Sequence, residues 1–436
     1  MPSPATHTLH TSFLSQRSRW AADQAISFLM QQGVENPGCI SLAAGLVDED
    51  SLPAEPVREA VTSILSDGGS ARSALQYGTT QGRLDLRGCL LDYMAAQEGV
   101  HRDTLGYDAS HIVVTTGSQQ LLSLLCETLL DPGDICIVGA PTYFVFLGCL
   151  AGVGAEPISV PLDENGMQPD LLEQALGRLN ELGRLPKVKM IYVVSEFDNP
   201  SGVSVSLERR KTIVDIANRW SIHNRLLILE DSAYRDLRFE GDPLPSLLAC
   251  DDSKEQVIYT QTFSKTLSPG LRVGFGVLPR DVMKPVLDRK GNEDFGSANF
   301  TQAVVTRMLK SGAFQRHVQH VRASYTRKRD AMVAAAEKFF RSIPGVSWHR
   351  PTGGLYVWMT LPPQVPTGFQ SPLFQTAVKN HGVMYVPGEL CFAPAHGGRP
   401  KNHMRLSYGV QTPAGITDGM RRLANAVSEV LGNQPA

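Results

Sequence analysis

From about residue 85 onward the chain alternates short runs of Val, Ile and Leu with stretches of helical apolar spacing, and this alternation constrains the fold more than any other feature. "HIVVTTG" gives way to the helical "SQQLLSLLCETLL"; then come "DICIVGAP", "AEPISVPL", "VKMIYVV", "RLLILED", "QVIYTQTF" and "RVGFGVL". Runs this short and this uniformly apolar are buried on both faces, and parallel strands need a crossover, usually a helix, between them. The fold class expected is therefore α/β, with a mostly parallel sheet covered by helices. Ligands of such a sheet gather at the carboxyl ends of its strands.

The pattern changes further on. Between roughly 301 and 341 it becomes long and helical, with clustered cations in "FQRHVQHVRASYTRKRDAMVAAAEKFF", and then come the β-like pieces "GGLYVWMTL", "GVMYVPG" and "HMRLSYG" before a closing helix. A chain of 436 residues exceeds what one small core serves. The expected division is an N-terminal arm and small-domain segment over 1–52, a large domain over 53–305, and a smaller α+β domain over 306–436.

Charge argues against some partners. With 41 basic and 43 acidic side chains there is no net field to recruit nucleic acid or an anionic membrane, so a small ligand is expected. The seven cysteines are odd in number and form no CxxC pair, which fits thiols in a reducing compartment, the cytoplasm. No apolar stretch is long enough to span a bilayer. The first residues, "MPSPATHTLHTSFLSQRSRW", are Ser/Thr-rich without an apolar core and read as a mobile arm, with an organellar transit peptide as the other reading. His317 and His320 in "RHVQHVR" have arginine neighbours that repel a cation, so they are expected on a solvated helix face, and no metal site is expected.

Several predicted strand ends carry polar residues. After "HIVVTTG", Gly117-Ser118-Gln119-Gln120 opens a helix; Ser118 is either its N-cap or part of an anion site. "RLLILE" runs into Asp231, with Tyr234 three residues on, and a carboxylate at the end of a buried strand needs a partner. "VSEFDNPSG" ends another strand; Asn199-Pro200 is turn chemistry, yet the Asn199 side chain could donate to a ligand. The strand "QVIYTQTF" brings Lys265 to the same edge, where burial and positive neighbours would free its amine to form an imine, and Arg272 seven residues later could hold phosphate bidentately. A reactive lysine, an acid for a pyridinium, hydroxyls and an arginine for a phosphate, and an Asn/Tyr pair for a phenolate are together what pyridoxal 5′-phosphate requires.

With these residues in place the sequence resembles a fold-type I, pyridoxal-phosphate-dependent aminotransferase of class I/II, of the branch with α-aminoadipate and kynurenine aminotransferases. The likeness runs from "CISLAAGLVDEDSLP" and "LQYGTTQGRLDLR" through "TTGSQQ", "DNPSG", "EDSAYRDLRFEG" and "TFSKTLSPGLRVG" to "PTGGLYVWMTLP", "MYVPGELCF" and "NHMRLSYG". The resemblance implies that Lys265 forms the Schiff base and Asp231 keeps the pyridine nitrogen protonated. It implies that Asn199 and Tyr234 bind the ring's phenolate oxygen, and that Ser118, Gln119, Thr262, Ser264 and Arg272 form the phosphate cup. Tyr143 in "APTYFVF" resembles the aromatic that stacks on the cofactor, or is a core aromatic. Arg405, helped by the backbone around Gly45, resembles the clamp on the substrate carboxylate. Tyr77 is similar to the tyrosine that reaches the partner's phosphate in a homodimer with shared sites. Two departures stand out: the acidic, aromatic lead-in "SEF" before Asp198-Asn199, expected to alter the pocket, and threonine rather than serine at 262.

The activity implied is ping-pong transfer of an amino group between an L-amino acid and a 2-oxo acid. The alternatives are a lyase or decarboxylase on the same scaffold and a pyridoxal-phosphate-binding transcription regulator, whose helix-turn-helix domain does not fit in the some 40 residues before "ISLAAG". The T-x-x-K spacing of Thr262 and Lys265 echoes S-x-x-K hydrolases, without their companion motifs.

Overall fold

The apolar runs become the strands of one eight-stranded sheet. The computed structural model describes residues 13–21, 31, 35–36, 38–394 and 398–432, so the expected arm over the first residues lies mostly outside the described residues. In chain order the strands are β1 (Ile40–Ser41), β2 (Ile112–Thr115), β3 (Ile135–Ala140), β4 (Glu156–Asp163), β5 (Gly166–Met167), β6 (Val188–Val194), β7 (Leu227–Asp231), β8 (Val257–Thr262) and β9 (Gly274–Val277), followed by β10 (Ser347–Trp348), β11 (Tyr356–Thr360), β12 (Val383–Met384), β13 (Val386–Pro387) and β14 (His403–Ser407). The large sheet has the order β2-β9-β8-β7-β6-β3-β4-β5. Strands β8, β7, β6, β3 and β4 run parallel, while β9 is antiparallel to both its neighbours.

Alternation along each strand sends neighbouring residues to opposite cores. Ile112, Val114, Ile135 and Ile137 pack with the helices Leu84–Glu98, Pro169–Glu181 and Leu207–Trp220 on one face. Val113, Cys136 and Val138 pack with Ser118–Leu129, Phe144–Val153 and Arg280–Asp294 on the other. Burial on both faces is why these strands carry no polar alternation.

The C-terminal pieces make a second, antiparallel sheet, β10-β11-β14-β13, and β1 pairs with β12 beside it. Its core includes Leu42, Met359, Leu406 and Leu423, the last from the closing helix Pro413–Gly432. The helical stretch near 301–341 is two helices, Asn299–Lys310 and Ala313–Phe340, separated at Gly312, whose φ of 70° is readily reached only without a Cβ. The 28-residue second helix belongs to both cores. Phe314 and Val318 pack on the large sheet, and Val321, Met332 and Phe340 pack in the smaller core.

His317 departs from expectation. It is turned inward and buried, with Nε2 lacking a hydrogen-bond partner among the described residues, while His320 on the next turn is exposed. All seven cysteines are unpaired. Among the described residues no helix is long and apolar enough to cross a membrane and no cluster of His, Cys, Asp and Glu could hold a metal.

Candidate active site

Strand register sets the polar strand ends side by side. Val194 stands opposite Asp231, Asp231 opposite Thr260, and Thr262 opposite Gly274. The loops leaving β2, β3, β6, β7 and β8, and the turn entering β9, therefore open onto one edge. Of the residues that the resemblance places in the site, all but Gly45, Tyr77 and Arg405 line a single cavity of about 350 Å³ there.

One end of the cavity is built to hold an anion. Gly117 is the N-cap of the helix Ser118–Leu129, and no side chain caps it, so Ser118 is the first residue inside the helix rather than its cap. The helix N-terminus thus presents free N–H groups and positive dipole to the cavity. A Cβ at Gly274 would lie 2.5 Å from Ser118 N, and one at Gly117 would lie 2.9 Å from Arg272 Nη2. Glycine at both positions lets the β2 loop, β9 and the arginine converge. Arg272 Nη2 also donates to Thr116 O at 3.2 Å. Opposite, Thr262 Oγ1 donates to Ser264 Oγ at 3.0 Å and accepts from Ser264 N at 3.2 Å, so threonine at 262 keeps the hydroxyl that a serine would supply.

The floor carries an acid and an amine whose proton affinities are both shifted. Burial pushes the Asp231 carboxyl up to about 6, although Tyr192 Oη donates to its Oδ2 at 2.8 Å and Ala233 N to its Oδ1 at 3.2 Å. Lys265 Nζ donates to Gly45 O at 2.7 Å. Burial lowers its ammonium, the neighbouring Tyr356 phenol opposes this, and the charges of Arg405 and Arg272 lower it further. An amine easily freed of its proton faces the same space as an acid seeking a cation. Tyr143 flanks that space, its Oη donating to Gln119 Oε1 at 3.4 Å.

Arg405, on β14 of the smaller sheet, reaches this edge from the other side. It is buried; Nη1 donates to Asn199 Oδ1 and Nη2 to Ala43 O, each at 2.9 Å, and Nε has no partner among the described residues. Asn199 in turn donates through Nδ2 to Tyr234 Oη at 3.5 Å. The turn chemistry of "DNPSG" is carried by Asp198, whose Oδ2 accepts from Ser201 N and Oγ, so the Asn199 side chain is left for Arg405 and Tyr234. Glu196 and Phe197 do not line the cavity, contrary to expectation: Glu196 is buried against Arg210 and Arg238, and the Arg238 guanidinium lies 5.0 Å from the Phe197 ring centre. Tyr77 does not line it either. Its ring is exposed and stands 5.9 Å from that of Phe295.

Two residues of the site escaped the sequence reading. Tyr192 sits in the apolar run "VKMIYVV" and looks like core, yet its hydroxyl is spent on Asp231. Tyr356 in "GGLYVWMTL" places its ring 4.4 Å from the Arg405 guanidinium carbon and its Oη 3.2 Å from Tyr234 Oη. A buried phenol needs a partner, and a tyrosine in an otherwise apolar strand was the available signal for both.

The sequence profile of aminotransferases of class I and II matches residues 37–423. The chain is 35% identical over 91% of its length to aromatic-amino-acid aminotransferase 1 of Thermococcus litoralis, covering 90% of that protein. It is 33% identical over 91% of its length to 2-aminoadipate transaminase of Thermus thermophilus, covering 92% of it. Its structure matches that of Pyrococcus horikoshii kynurenine aminotransferase with a TM-score of 0.87 at 35% identity, over 96% of this chain and 98% of that one. The chain belongs to the class I and II aminotransferases. It is a fold-type I enzyme that moves an amino group between an amino acid and a 2-oxo acid, with pyridoxal 5′-phosphate as its cofactor. The cavity fits that group: an anion cradle at one end, a buried acid with raised proton affinity at the floor, and a lysine of lowered basicity between them.

Proposed function

We propose that the cavity at the sheet edge is the catalytic site and that the residues around it divide the work as follows. Lys265 Nζ would hold the cofactor and, when free, would take the proton from the donor's Cα. When bound, the cofactor accepts the amino group and draws electron density from that carbon. Asp231 would keep the ring nitrogen protonated, Tyr143 would flank the ring, and Asn199 Nδ2 and Tyr234 Oη would be the donors for its oxygen. Ser118, Gln119, Thr262, Ser264 and Arg272 hold the phosphate. Arg405 orients the donor by its α-carboxylate, with the backbone at Gly45 beside it, which fixes the direction of the Cα–H bond.

The reading extends to the assembly. An exposed tyrosine beside an exposed phenylalanine, outside the cavity of its own chain, supports a homodimer in which Tyr77 serves the neighbouring phosphate site. The arm 1–52, the large domain 53–305 and the small domain 306–436 are the units we assign. Seven unpaired cysteines support a cytoplasmic enzyme.

One observation carries the assignment: an amine of lowered basicity, an acid of raised proton affinity and an anion cradle share one cavity. Borohydride reduction of the cofactor-loaded protein, followed by peptide mapping, is expected to place the label on Lys265. A label on another lysine, or no chromophore at all, refutes the assignment. The relatives named for aromatic amino acids and 2-aminoadipate put those donors first in a screen against 2-oxoglutarate and pyruvate.

A further inference from the structure

Tyr356 stands where three parts of the site meet. On β11 it pairs with Ser407, two residues along from Arg405 on the same face of β14, which is how its ring comes to lie against the guanidinium. Its hydroxyl is pressed on Gly45, where a Cβ would come within 2.8 Å of it, and Gly45 O is the acceptor of Lys265 Nζ. Its hydrogen-bond partner is the Tyr234 hydroxyl, 3.2 Å away.

The direction of that bond matters. A phenol has one proton to give and two lone pairs to fill. Tyr234 Oη already accepts from Asn199 Nδ2, because Arg405 Nη1 occupies Asn199 Oδ1 and so fixes the amide's orientation. If Tyr234 donated to Tyr356, no proton would remain for a ligand. If Tyr356 donates, both lone pairs of Tyr234 are filled and its proton has only the cavity left to face.

The surroundings choose between these. Tyr356 is buried, and its one hydrogen-bond partner among the described residues is the Tyr234 hydroxyl, so a proton not given to Tyr234 would be left unpaired in the core, whereas Tyr234 lines the cavity and can turn its own proton there.

We propose that Tyr356 is a positioning residue that donates to Tyr234 and thereby turns the Tyr234 hydroxyl proton into the cavity, toward the cofactor oxygen. This rests on the role proposed above for Tyr234. Tyr356→Phe keeps the ring against Arg405 and removes only the donor. In the cofactor-loaded protein, kcat/KM is expected to fall about tenfold, the scale of one buried hydrogen bond. The pH midpoint of the chromophore's colour change is expected to rise, because a donor aimed at the ligand oxygen favours the ligand's deprotonated form. Since Tyr356 acts through Tyr234, the double variant Y234F/Y356F should match Tyr234→Phe alone in both readouts. An unchanged midpoint in Tyr356→Phe, or effects of the two substitutions that simply add, overturns the proposal while leaving the wild-type chromophore and its Lys265 label intact. A wild-type protein that forms no chromophore would instead remove the functional reading, and this inference with it.

Discussion

Asp231→Asn is expected to make the cofactor-free protein more stable at neutral pH, although it removes a group assigned to catalysis. The carboxyl is buried, and burial raises it from an ordinary 3.8 to about 6. Because the folded-state value lies above the unfolded one, the folded protein binds the proton more tightly. The stability this confers is fully present below pH 3.8 and is lost as pH rises through about 6. A shift of about 2 units at 1.36 kcal/mol each amounts to about 3 kcal/mol above pH 7. Asparagine escapes this loss, since its Oδ1 still accepts from Tyr192, but Ala233 N loses its acceptor at a pH-independent cost of about 1 kcal/mol. The net gain at pH 8 is therefore about 2 kcal/mol. Asp198, which burial and the Asp231 charge together push up to about 7, is relieved in the same direction. Urea unfolding of both cofactor-free proteins at several pH values measures the difference, and its slope with pH isolates the ionisation from the constant cost. A difference that does not grow between pH 4 and pH 8, or that grows in favour of the wild type, refutes the reasoning. With cofactor bound the order should reverse, because the carboxylate then has a cation to face.

Two further outcomes are expected. Arg405→Lys keeps the charge and loses the fork, so KM for amino acids should rise at least about tenfold while cofactor affinity changes little; equal damage to both would place Arg405 outside the carboxylate site. Lys265→Ala and Tyr77→Ala homodimers should each be badly impaired, whereas subunit exchange between them should restore about half of wild-type activity per mixed dimer, since one of its two sites then carries neither change. Proven exchange without restored activity would assign Tyr77 to its own chain's site or to none.

Much of this was legible in the sequence, for a physical reason. Strands buried on both faces announce themselves by unbroken Val/Ile runs, and parallel register then delivers Asn199, Asp231 and Lys265 to one edge, where the β2 loop with Ser118 joins them. What the sequence did not disclose depends on packing between elements distant along the chain. Tyr192 and Tyr356 have the composition of core residues, and only the positions of Asp231 and Tyr234 reveal that their hydroxyls are engaged. The outcome for Glu196 and Phe197 needed the places of Arg210 and Arg238. His317 misled because the helix around it is rich in cations, yet the face it occupies, one turn from Phe314, is the one that packs inward.

The long helix Ala313–Phe340 restricts how the chain can change over generations. Phe314 and Val318 are fixed in one core and Val321 onward in the other, with no break between. Adding or deleting one residue between Val318 and Val321 would turn everything beyond by about 100° and shift it about 1.5 Å along the axis. The smaller sheet would then rotate with it, carrying Arg405 away from Asn199 and Tyr356 from Tyr234. Exposed positions such as Gln319 and His320 can accept new side chains freely, but the count of residues there cannot vary. Variation in this stretch should therefore take the form of replacements, with insertions and deletions confined to the loops.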